Sequence, residues 1–291
     1  MAVQIDGINV HIDSRNSSLV RKLGCQWVRI DVNWWQIEKS RGSYSWSAID
    51  SIVNSYRSAG MMIYATLMGT PSWLGKDFRS PPDVASWRSF CTAFAKRYVG
   101  KVQVVSLWNE PNLGKTFWTG KKKQFFETIV KNGYQAIKAV NPNILVAASD
   151  FATTGSSHWT TWLNLMKKYR KYIDILSVHA YGSSASKIVR CWNSGKFWFF
   201  GWLIPKWRPY KWYFNAVRKP IYLTEIGFPA KYGNSKEMKK QKEFTEKIMK
   251  NKKDLKNVHF IFFYCLIDAD PKLEKPFGFY SSSGQPKTVS C

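Results

Sequence analysis

The sequence predicts an α/β fold, a single (β/α)8 barrel of the TIM type, and three observations carry that reading. Its 291 residues suit one such barrel with modest loops. Eight short apolar runs alternate with longer amphipathic stretches, the order expected of parallel strands covered by helices. No internal repeat or low-complexity linker breaks the series, so residues 1–291 read as one domain.

The predicted strands are Ile5–His11, Trp27–Asp31, Met61–Leu67, Val102–Leu107, Ile144–Ala148, Ile173–His179, Ile221–Thr224 and Val258–Tyr264. Most are near-continuous apolar runs, as strands covered on both faces must be. Helices lie between them. Ser45-Trp46-Ser47 leads into Ile49, Ile52, Val53 and Tyr56, and Gly60 closes that segment. Pro81-Pro82-Asp83 opens a helix carrying Trp87, Phe90, Phe94 and Tyr98. Lys123–Val140 is the longest, stopped by Asn141-Pro142. Asn234–Asn251 supplies another, with Lys239, Lys240, Lys242, Lys247 and Lys250 on a solvated outer face. Residues 182–215 resist this pattern and read as an extended, aromatic-rich connection around Trp198, Trp202, Trp207, Trp212 and Tyr213.

Composition narrows the function classes. An apolar fraction of 45% supports a closed core and, with charged residues at 22%, excludes a disordered chain. The 15 Trp, 14 Tyr and 18 Phe exceed what packing alone asks for, and aromatic faces also stack on the C–H faces of sugars. A net charge of +25 favours an anionic partner or surroundings. No zinc-finger spacing, RNP signature or P-loop accompanies that charge, so no specific nucleic-acid partner is expected. Cys25, Cys91, Cys191, Cys265 and Cys291 form no CxxC pair, which argues against a disulfide framework or a zinc site. The four histidines lack paired ligand spacing, and neither a metal nor another cofactor is expected. The apolar cluster Phe197 to Ile204 is too short to span a bilayer. Met1-Ala2 runs into a strand without the basic and apolar regions of a signal peptide, so localisation is open between cytoplasm and an exported or cell-surface form. A monomer is expected.

In such a barrel the chemistry sits where strands end at their C-termini. Asn9 and His11 end the first strand, Arg29 and Asp31 the second. Asn109-Glu110 ends the fourth, His179 and Tyr181 the sixth, and Glu225 the seventh. Two carboxylates across a barrel mouth suit glycoside cleavage: one protonates the leaving oxygen while the other attacks the anomeric carbon. Arg29 is expected to hold Glu225 low, and Glu110 to titrate high beside its neighbour's charge. Tyr181 is placed to hydrogen-bond the nucleophile, and Asn109 to bind a sugar hydroxyl. Trp73 and Trp118 are candidate sugar platforms. His179 and His11 are candidate substrate contacts, with plain backbone hydrogen bonding as the alternative.

At these residues the sequence resembles clan A glycoside hydrolases. Leu107-Trp108-Asn109-Glu110-Pro111-Asn112 and Tyr222-Leu223-Thr224-Glu225-Ile226-Gly227 are similar to that clan's acid/base and nucleophile motifs. Val28-Arg29-Ile30-Asp31, Gly42-Ser43-Tyr44-Ser45-Trp46, Thr70-Pro71-Ser72-Trp73 and Val178-His179-Ala180-Tyr181 extend the similarity, most in the style of glycoside hydrolase family 39. The resemblance implies a (β/α)8 fold, retaining double displacement with Glu110 as acid/base and Glu225 as nucleophile, no metal, and Asn109 at the reactive subsite. One position departs: where clan members carry Trp at the end of strand eight, this chain has Phe262-Phe263-Tyr264-Cys265-Leu266, so Tyr264 replaces that floor or the floor comes from elsewhere.

The expected function is therefore a retaining β-glycosidase, endo-acting on a polysaccharide or oligosaccharide that is anionic or displayed on a cell surface. Two rivals stand beside it. One is a catalytically silent carbohydrate-binding barrel; the other is a polyanion- or cell-wall-binding protein.

Overall fold

The computed structural model describes residues 4–153, 159–194, 198–199, 202–203, 217–269 and 274–287. Eight parallel strands close into a barrel in chain order: β1 Gly7–His11, β2 Trp27–Asn33, β3 Met62–Met68, β4 Val104–Leu107, β5 Leu145–Ala152, β6 Ile175–His179, β7 Ile221–Ile226 and β8 Val258–Phe263. β8 pairs back onto β1, with Gly7 opposite Phe262. Every predicted strand is present, several displaced by one or two residues, and β5 runs to Ala152 rather than ending at Ala148.

The lower half of the barrel interior is apolar. Trp27, Tyr64, Val104, Ala147, Ile175, Tyr222 and Phe262, one from each of seven strands, pack into a cluster of their own. The remaining strand, β1, contributes Gly7, because a Cβ there would stand 2.7 Å from the Phe262 ring and 2.9 Å from Trp27 Cβ. The barrel is thus plugged at its base, and polar side chains collect only above this layer.

Helices cover the outside. Ser47–Ser58 buries Ile49, Ile52, Val53 and Tyr56. Val84–Arg97 is capped by Asp83, whose carboxylate accepts from the Ser86 N–H at 2.8 Å. Much of the aromatic content fills this layer: Trp34 stacks on Phe90 at 5.0 Å, and Trp34, Trp87, Trp108 and Trp162 are fully buried. The long helix predicted over 123–140 forms as Lys122–Gln124, a π-helical segment Phe125–Lys131, and Asn132–Val140. The wider π turn buries Phe125, Phe126, Ile129 and Val130 together.

One predicted connection differs. Residues 185–194, expected to be extended, form the helix Ala185–Ser194, because Ala185, Ile188, Cys191 and Trp192 recur at helical spacing and are buried. Trp198–Phe199 pairs antiparallel with Trp202–Leu203. Trp207, Trp212, Tyr213 and Cys291 lie outside the described residues. The other four cysteines are buried free thiols. Among the described residues no helix is long and apolar enough to cross a membrane.

Beyond β8 the chain folds back over the barrel mouth, where the Phe279 and Tyr280 N–H groups donate to the Cys265 and Leu266 carbonyls. Buried Lys287 fastens this return, with Nζ 2.8 Å from both Asp268 carboxylate oxygens and 2.7 Å from the Ala230 carbonyl.

Candidate active site

Above the apolar plug, strand alternation brings Asn9, Arg29, Thr66, Ser106, Ser177 and Thr224 inward, and all are buried. Arg29 is the hub. Its Nη1 donates to Asn9 Oδ1 at 2.6 Å and to Glu225 Oε1 at 2.9 Å, and its Nη2 to Asn109 Oδ1 and Asp150 Oδ2, each at 2.9 Å. Asp150, wholly buried, also accepts from the Tyr64 hydroxyl, Thr66 Oγ1 and Thr224 Oγ1. A buried guanidinium demands such pairing, since an unpaired charge in this setting is strongly destabilising.

Local backbone irregularity aims the two glutamates. β4 stops at Leu107, and Trp108 (φ 104°) and Glu110 (φ 43°) then take left-handed conformations. That strain is held by a buried Trp108 whose indole N–H donates to the Phe117 carbonyl, and by the Glu110 N–H donating to the Asp150 carbonyl at 2.7 Å. In β7, strict alternation from inward-facing Tyr222 would turn Glu225 to the outer face. A register shift against β6, pairing His179 with Glu225, brings it to the mouth instead.

His179 joins the pair. Its Nδ1 lies 2.7 Å from Glu110 Oε1 and 3.4 Å from Glu225 Oε2. The Tyr181 hydroxyl donates to Glu225 Oε2 at 2.9 Å. One donor atom from each of Glu110, His179 and Glu225 lies within 4.8 Å of the others, a set that would also suit a divalent cation.

Burial pushes the Glu225 carboxyl above its ordinary value, against the pull of His179 and Arg29, and the charge of Glu110 adds to the push. This reverses the sequence expectation that Arg29 would hold Glu225 low. The reason is that withdrawing the carboxylate from water outweighs the attraction of His179 and Arg29 together. Burial alone would lower the His179 imidazole, but Glu225 and Glu110 outweigh it and hold it high. Burial would raise Asp150 and Asp31, yet their cationic neighbours, chiefly Arg29 and His11 respectively, keep both below the usual carboxylate range.

A cavity of about 330 Å³ opens beside Glu225 and Asn109. Arg29, Asn109, Glu225, His11 and Asp31 form its polar wall, and Trp35, Phe78, Phe117 and Tyr264 its aromatic one. His11 Nδ1 lies 2.8 Å from Asp31 Oδ2 and its ring meets Tyr264 edge-on at 5.2 Å. Tyr264 thus sits in the cavity from the end of β8, tied to Glu274 through its hydroxyl at 3.0 Å.

Two sequence expectations are corrected. Trp118 is 2% exposed and packs edge-on against Trp108 and Phe125 as part of the core, while its neighbour Phe117 faces the cavity. Trp73 is absent from the cavity wall. Its indole N–H donates to the Glu38 carbonyl at 2.7 Å and Arg41 lies over its ring at 5.1 Å, while Trp35 and Phe78 stand in the wall instead.

Residues 11–192 match the model of glycosyl hydrolases family 39. The chain belongs to that family. The matched segment carries Glu110 and His179, whereas Glu225 lies beyond it. A β-xylosidase of Geobacillus stearothermophilus is 29% identical over 161 residues, covering 49% of this family 39 chain and 31% of that protein, so the match spans about a third of the relative's length. Among solved structures, a family 39 glycoside hydrolase from Bacteroides cellulosilyticus WH2 superposes with a TM-score of 0.73 at 20% identity, over 98% of this chain and 61% of that one. Xylanase 10B from Thermotoga petrophila RKU-1 superposes with a TM-score of 0.71 at 13% identity, over 99% and 94%. At these identities the likeness establishes the barrel.

Sequence reasoning missed Asp150, Phe78 and Phe117 as parts of the site. Asp150 had a signal, an acid inside the strand-like run Leu145–Ala152, where a carboxylate needs a buried cation.

Proposed function

We propose that this chain is a retaining β-glycosidase that cuts within a polysaccharide. The observation that carries the reading is the pair of glutamates at the barrel mouth, with carboxylate oxygens within 4.8 Å of each other. A separation no larger than that falls with retaining enzymes, whose carboxyls stand roughly 5–5.5 Å apart, and short of the roughly 6.5–9.5 Å that inversion needs for its water.

In the first step ionised Glu225 bonds to the anomeric carbon while Glu110 gives its proton to the departing glycosidic oxygen. A glycosyl ester on Glu225 results. In the second step Glu110, now ionised, takes a proton from water as the water oxygen attacks the same carbon and Glu225 leaves as carboxylate. Arg29 and Tyr181 orient Glu225 and share its charge. Arg29 also fixes the Asn109 carbonyl oxygen, which leaves the amide NH2 to meet a sugar hydroxyl. His179 bridges the pair, and its charge favours the ionised form of Glu225, the one that attacks.

The xylosidase and xylanase among the similar proteins make β-xylosides the first substrates to try. Glu110→Gln and Glu225→Gln are each expected to lower turnover by about 10²–10⁴-fold while the thermal transition stays near that of the unmodified protein. Normal activity in both variants would sink the assignment. The anionic character of the substrate rests on the charge of +25. Cleavage of acidic glycans should then fall with added salt more steeply than cleavage of neutral ones, and equal rates at all ionic strengths would remove that part.

A further inference from the structure

The cavity walled by Glu225 and Asn109 does not end the cleft. His11 also walls a second cavity of about 410 Å³, formed by residues 9–15 at the end of β1 and beyond it and by residues 266–267 after β8. Its size is that of a small-molecule site, roughly 300–1,000 Å³.

Its walls are preformed. His11 turns the chain out of β1 with φ 52°, a strained conformation for a non-glycine residue, and its ring is held by Asp31. The Ser14 carbonyl accepts from Ser55 on the neighbouring helix at 2.7 Å, and the Leu266 N–H donates to the Asn9 carbonyl at 2.9 Å. Part of the lining is apolar, with Ile12 52% exposed and Leu266 and Ile267 beside it in the wall. Another part is polar, with Asp13 held by the Arg15 N–H and the Asn16 amide, and with the Arg15 side chain 88% exposed. An apolar face beside charged hydrogen-bonding groups matches a pyranose ring, which has a C–H face and a hydroxylated edge.

The position of this cavity decides which sugar it takes. Glu110, at the end of β4, must reach the leaving oxygen, so the leaving part of the substrate lies on the β4 side. In the closed ring β8 stands opposite β4, and β1 is its neighbour. We propose that the cavity between β1 and β8 binds the sugar unit adjoining the reactive one on its non-reducing side. Resting on the glycosidase reading, it deepens that reading: a site that holds two consecutive units before the cut favours chains over single terminal sugars.

Paired aryl glycosides test it. The 4-nitrophenyl β-xyloside and β-xylobioside share one leaving group and differ only by a unit on the non-reducing side, as do the β-glucoside and β-cellobioside. At least one bioside should exceed its monoside in kcat/KM by about tenfold or more, since remote binding energy is used in the transition state. Ile12→Ala and Arg15→Ala should each cut that ratio several-fold without shifting the melting transition. A ratio near one in the unmodified protein, or a ratio untouched by both variants, overturns the subsite and leaves the glycosidase reading standing. No aryl alcohol from any of the four, with no reducing ends released from a polysaccharide panel, removes the glycosidase reading and the subsite with it.

Discussion

Asp150 shows how much one side chain sets at this site. It is fully buried and accepts from Arg29, which in turn holds Glu225, Asn109 and Asn9. Asp150→Ala should destabilise the protein by about 3–5 kcal/mol in a denaturant titration, because Arg29 loses a buried partner. Asp150→Asn is the sharper test. With that negative charge gone, less of the Arg29 charge is offset and it draws the Glu225 carboxyl downward, so the acid limb of kcat/KM should move to lower pH. In the unmodified protein the limb should lie above the ordinary glutamate value of 4.5, because attack needs ionised Glu225 and burial raises its pKa. An acid limb at or below that value, unmoved in Asp150→Asn, would contradict this account. Stability runs the other way. Asp150 and Asp31 are depressed in the folded state, so their stabilisation is complete above the unfolded value of 3.8 and is lost as pH falls through their lower folded values.

At the scale of elements, strand ends and the turns after them build the cavity wall. The turn after β3 places Gly69 at φ 85°, and a Cβ there would stand 2.0 Å from the Trp35 ring. Gly69→Ala therefore meets both a left-handed backbone and a clash with a residue of the cavity wall. It should cost about 1–3 kcal/mol and raise KM by displacing Trp35, with a smaller change in kcat. Measuring both kinetic constants distinguishes displacement of the wall from general loosening, which would lower the amount of active protein without raising KM.

Across the whole molecule, the closed ring leaves no free barrel edge, and the return of the chain after β8 pairs with the segment Cys265–Leu266. Lys287 is the fastening, buried against Asp268 and two backbone carbonyls. Lys287→Ala leaves Asp268 buried without its cation, and a loss of about 3–5 kcal/mol is expected by urea denaturation. Adding Asp268→Asn should recover part of that loss, since the remaining group is then neutral. Failure of the second change to recover anything would mean that the lysine acts through packing rather than charge.

The apolar runs and their spacing determined the barrel, because parallel strands buried on both faces and helices with one apolar stripe leave few other ways to hide their surfaces. Glu110, Glu225, Arg29, Tyr181 and Asn109 were legible too, as polar residues ending such runs. Tertiary structure alone decided what strict alternation would have denied. Register shifts between β5 and β6 and between β6 and β7 bring Asp150 and Glu225 into the interior, although two-residue periodicity from Ala147 and Tyr222 turns both outward. It also decided which aromatics meet the cavity. Trp118 and Phe117 are adjacent in sequence and equally apolar, and only the packing of Trp118 against Trp108 sends one to the core and leaves the other at the cavity. Pattern encodes how much surface must be hidden; which side chain hides depends on neighbours that closure of the ring brings from distant parts of the chain.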